Sequence, residues 1–180
     1  CITNTPSSIK DEDLDALYDD AYRAFDEGRL DAAASHFAQM LRHDRQSSTA
    51  YMLGLANKYR RDWAASLAAN RQAIALARDD DEDNEGAVWN AAIAATALGE
   101  WAQARALWTQ YGIKLPEGDG ADSPIEGRFG LCCVRLNPWG EGETVYAQRI
   151  DPARAVLLNV PLPASGHRWR EPSLRGEGDC

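Results

Sequence analysis

Apolar side chains return at three- and four-residue intervals through most of this chain, and the pattern breaks at regular points. Leu14, Leu17, Tyr18, Ala21, Tyr22 and Phe25 fall on one face of a predicted helix. Asp11, Glu12, Asp13 and Asp15 precede that face and suit the positive end of a helix starting there. Asp26-Glu27-Gly28 predicts its end, because Gly28 can take the left-handed conformation that closes a helix. A second helix is predicted from Leu30 to about Arg42, burying Ala33, Phe37, Met40 and Leu41. The same order of events returns with helices over Ala50–Tyr59 and Trp63–Ala77. It returns again from Trp89 to Leu115, folded back at Leu98-Gly99-Glu100, with Pro116 where the last helix should stop.

Aligning the three turns gives a register. Gly28, Arg61 and Gly99 correspond, 33 and 38 residues apart. On it, the close-contact position of each first helix reads Ala21, Gly54, Ala92, and that of each second helix reads Ala33, Ser66, Ala104. The bulky position after the turn reads Leu30, Trp63, Trp101. The middle unit departs from its neighbours, with Arg61 at the turn and Asn70 where Phe37 and Trp108 stand. A polar side chain in such a core position costs about 1–3 kcal/mol unless it finds a hydrogen bond. The longer second spacing comes from the acidic run Asp79, Asp80, Asp81, Glu82, Asp83, Asn84, Glu85, Gly86, predicted as a loop too charged to pack.

Beyond Pro116 the pattern changes period. Residues 117–124 read as a Gly- and Pro-punctuated linker. Strand-prone runs follow at Arg128–Leu136, Thr144–Ile150 and Ala155–Val160, the first two joined by a turn-rich loop that predicts a hairpin. The organisation expected is a mobile leader over 1–10, three helical hairpins over 11–116, the linker, a β-rich appendage over 125–170 and a disordered tail over 171–180. So few strands are marginal alone, so the appendage is expected to pack on the helices, on a partner (a second copy of the chain among them) or on sequence outside these 180 residues.

The helical part, from Leu14 to Pro116, resembles tetratricopeptide repeats, whose unit is a helix–turn–helix of about 34 residues. The resemblance implies a mainly α fold, a right-handed superhelix of three repeats with a small β-rich C-terminal appendage. In stacked repeats the first helices line a concave face. By the register that face carries Tyr18, Tyr22 and Phe25, then Tyr51, Leu55, Lys58 and Tyr59, then Trp89 and Ile93. Aromatic anchors of this kind suit a protein or peptide ligand, because they bury large area at low entropic cost. Some of these side chains are expected in the core between repeats, Phe25 and Ile93 most of all. Co-chaperone members of the family hold a C-terminal carboxylate with Lys, Arg and Asn on this face; only Lys58 and Asn90 match, which favours an apolar ligand instead.

Charge narrows the partners. The formal net charge is −9, and residues 1–120 carry 20 acidic against 12 basic side chains. That balance disfavours nucleic acid and anionic membrane surfaces, both of which recruit Lys and Arg. Asp79, Asp80, Asp81, Glu82 and Asp83 would steer a basic partner by long-range attraction, the plain alternative being a solvated surface. Their spacing lacks the alternation and central Gly of a calcium loop. The cysteines at 1, 132, 133 and 180 form neither a zinc knuckle nor a disulfide framework, and no metal or cofactor is expected. A start at Cys1 reads as a processed or trimmed product, with a lipid-modified cysteine the weaker reading. No catalytic motif stands out; Cys133 with His167 is the one nucleophile–base pair an enzyme reading would use. His36 and His43 read as helix surface or caps. A cytoplasmic, non-catalytic binding protein is the expectation.

Two narrower resemblances compete. Leu17-Tyr18 and Tyr51-Met52-Leu53-Gly54-Leu55 in a short acidic three-repeat layout are similar to the translocator chaperones of bacterial type III secretion, which implies an extended apolar client. Val134-Arg135-Leu136-Asn137-Pro138, Ile150-Asp151-Pro152-Ala153-Arg154-Ala155 and Val160-Pro161-Leu162-Pro163 with Gly166-His167-Arg168 resemble a segment that follows repeats in bacterial toxin-immunity proteins, which implies one cognate protein, such as a toxin, as partner; past Arg168 the chain departs from that pattern. The immunity or adaptor reading is preferred, because those chaperones carry no β-rich tail.

Overall fold

Three turns with one geometry set the helical part. In the computed structural model, which describes residues 11–80, 82–118, 120–137, 140, 142–170 and 172–174, Gly28, Arg61 and Gly99 all take left-handed backbone, with φ of 72°, 60° and 71°. Each turn makes the same two hydrogen bonds. The turn residue's N–H reaches back three residues, to Phe25, Lys58 or Thr96, and the next N–H reaches back five, to Ala24, Asn57 or Ala95. These bonds satisfy carbonyls that a helix end leaves open. Gly28 and Gly99 adopt this conformation without a Cβ penalty, whereas Arg61 bears one.

The helices are α1 (Asp11–Asp26), α2 (Leu30–His43), α3 (Ser47–Tyr59), α4 (Trp63–Asp79), α5 (Glu85–Leu98) and α6 (Trp101–Gln110). Each packs on the next in chain order, and α3 also meets α5. The small-residue register is where the hairpins close: Ala21, Gly54 and Ala92 are buried, as are Ala33, Ser66 and Ala104. At Gly54 there is no room for a methyl group, since a Cβ there would lie 2.3 Å from Asn70 Nδ2. Ser66 Oγ donates to the Gly54 carbonyl at 2.8 Å, so the middle hairpin is stitched as well as packed.

Several helix ends differ from the apolar pattern, and caps or bonds to other helices accompany them. Helix α3 begins at Ser47, three residues before Ala50; Ser47 Oγ donates to Ala73 O and accepts from Asn84 Nδ2. Helix α5 begins at Glu85 because Asn84 accepts from Ala87 N at 3.0 Å. Asp79 ends α4, so the acidic loop is shorter than predicted, with Asp79 and Glu85-Gly86 taken into helices. Helix α6 stops at Gln110, well before Pro116, because Gly112 turns left-handed at φ 94° and Ile113 N returns to Trp108 O.

The C-terminal part is an antiparallel sheet in the order β1-β2-β3-β4: β1 (Leu131–Leu136), β2 (Glu143–Arg149), β3 (Arg154–Leu157) and β4 (Pro172–Leu174). The predicted hairpin is β1–β2, with Cys133 opposite Tyr146. One face buries Val134, Leu136, Val145, Ala147, Ala155 and Leu157. Strand β3 ends at Leu157 rather than Val160, and β4 lies where a disordered tail was expected. Residues 1–10, Asp81 and residues 175–180 lie outside the described residues, and so do the leader and the rest of the tail predicted there.

The strands have a core of their own, and the segments flanking them reach the helices. Ile125 and Ala153 are buried with Ala104, Leu107 and Trp108. Arg105 holds the segment predicted as a linker, donating to the carbonyls of Pro116, Ser123 and Pro124. Arg154 stacks 4.9 Å over the Trp101 ring, donates to Ile125 O and pairs with the buried carboxylate of Asp151.

Candidate functional site

The aromatic side chains predicted on the concave face are divided by the fold into three groups. On α1, Tyr18 and Tyr22 lie one turn apart with ring centroids at 4.4 Å, and Tyr22 meets Phe37 edge-on at 5.3 Å. Burial first, and its hydrogen bond to Tyr18 second, push the Tyr22 phenol from 10.0 up to about 12. Tyr18 is 48% exposed, the most open of the predicted set.

The second group joins α1, α3 and α5. Phe25 approaches Tyr59 at 6.0 Å, and Lys58 Nζ lies 4.8 Å from the Tyr59 centroid. Lys58 Nζ also donates to Asn90 Oδ1 at 3.0 Å. Lys58 is 8% exposed and Asn90 2%, so this pair ties α3 to α5. Here the expectation is corrected: two groups counted as facing a ligand sit between helices, because a Lys and an Asn 32 residues apart satisfy one another. Tyr51, half-buried, rests on Gly86 of α5, where an added Cβ would come within 3.0 Å of its ring. Leu55 is half-buried.

The third group belongs to the last hairpin. Trp89 is half-buried, edge-on to Trp108 at 4.9 Å and 4.8 Å from Tyr111. Ile93 is fully buried, as anticipated. Tyr111 was not singled out from the sequence, although the register aligns it with Met40 and Ala73.

Asp79, Asp80, Glu82 and Asp83 are exposed. Glu82 and Asp83 border a recess of about 180 Å³ with Arg78, Asn84, Glu85, Val88 and Tyr111. On the sheet, Cys133 is half-buried on β1, and His167 is half-buried after a short 3-10 turn at Pro163–Ser165. Among the described residues no group of three or more His, Cys, Asp or Glu could hold a metal ion, and no helix is long and apolar enough to cross a membrane.

A second depression lies on the other side of α3, between α2 and α4. It holds about 530 Å³ and is lined by alanines of both flanking helices, by Leu53 and Asn57 of α3, and by Asp31 and Arg60.

The molecule is thus a mainly helical array, six helices packed in consecutive pairs, followed by a small antiparallel sheet whose flanking residues Ile125 and Ala153 pack on the last pair. No protein-family model, curated protein or solved structure matches the chain.

Proposed function

We propose that this chain is a non-catalytic protein-binding module of the tetratricopeptide kind, a right-handed superhelix whose first helices receive one cognate protein. The observation that carries this reading is the row of part-open rings along the first helix of each hairpin: Tyr18 and Tyr22 on α1, Tyr51 and Tyr59 on α3, Trp89 on α5. Rings half-held by neighbours are anchors already ordered, so binding costs little side-chain entropy. Leu55 adds apolar contact between them. Lys58 and Asn90 serve this surface from beneath by fixing α3 against α5.

The partner is a folded protein with basic character, in the manner of a toxin held by its immunity protein or a client held by an adaptor. The exposed carboxylates at Asp79, Asp80, Glu82 and Asp83 support this, because they stand beside α5 and attract positive charge at long range.

The test is co-purification from the native host, followed by binding kinetics on the protein recovered. One stoichiometric partner is expected, with an association rate that falls as salt rises. Replacing Tyr18 and Tyr51 together by Ala should weaken it by about 2–4 kcal/mol in the manner of interface anchors. An association rate indifferent to salt, with an unfolded client, would favour the secretion-chaperone reading. Unchanged affinity in the double variant would remove this surface from consideration.

A further inference from the structure

We draw no further inference here: the strongest candidate, the patch of exposed apolar side chains (Leu131, Tyr146 and Leu158) on the face of the sheet opposite its core, carries nothing, because nothing in the structure shows what covers it.

Discussion

The middle and last hairpins have one backbone plan and opposite interiors. In the last, Trp108 is fully buried, its Nε1 donates to Thr96 Oγ1 at 3.1 Å, and Thr96 in turn donates to Ala92 O. Every polar atom of that set has a partner and the indole fills the space. In the middle, Asn70 takes the same position, bonds Ser66 through Nδ2, and leaves its buried Oδ1 without a partner. Gly54 makes room for it. One position can thus be served by volume or by hydrogen bonding, and only the first satisfies everything it buries. The lesson is that a repeat register constrains size and approach more tightly than it constrains chemistry.

The contrast can be broken most forcefully at Trp108. Trp108→Ala should destabilise the chain by about 3–5 kcal/mol, read from denaturant unfolding, because it opens a cavity and strands Thr96. A loss under about 1 kcal/mol would mean that the last hairpin collapses around the gap, and the contrast with Asn70 would vanish. Next is Gly54→Ala, whose methyl runs into the Asn70 amide; a cost of about 1–3 kcal/mol is expected, and pairing it with Asn70→Ala should recover part of it. Asn70→Leu sharpens the comparison from the other side. Removing the unpaired carbonyl oxygen should raise stability by about 1 kcal/mol, and a clear loss would show that the bonds to Ser66 outweigh it.

The smallest effect concerns the first hairpin, where Phe37 holds the corresponding position and carries Tyr22 on its ring edge. The Tyr22 phenol is pushed up to about 12 from 10.0, so the folded chain keeps a proton that the unfolded chain has released. Its contribution is whole below pH 10 and is lost as pH climbs from 10 towards 12. An ultraviolet phenolate titration should show one late-titrating tyrosine that disappears in Tyr22→Phe. If the variant leaves the late titration in place, another tyrosine is responsible.

How far the sequence could be read depends on the range of the interactions concerned. Gly28, Arg61 and Gly99 marked their turns because helix closure is decided within a few residues of the chain. The small-residue register held because two helices joined by a tight turn must meet at fixed offsets from it. The hairpin of β1 and β2 was visible for the same reason: alternation and a turn-rich loop are local. Helix ends were less legible, since Asn84 caps α5 and also bonds Ser47 at the start of α3, 37 residues away.

What the amino-acid order determined by itself, then, was the count of helical hairpins, their shared offset and the change to strands after Pro116. Tertiary structure alone decided that Lys58 and Asn90 face one another, that Arg105 clasps the chain beyond Pro116, that β4 joins β3, and that a slot stays open between α2 and α4. The physical reason is pairing at a distance. A side chain's periodicity says which way it points from its own helix, but whether it meets solvent or a partner depends on what another segment brings to the same place.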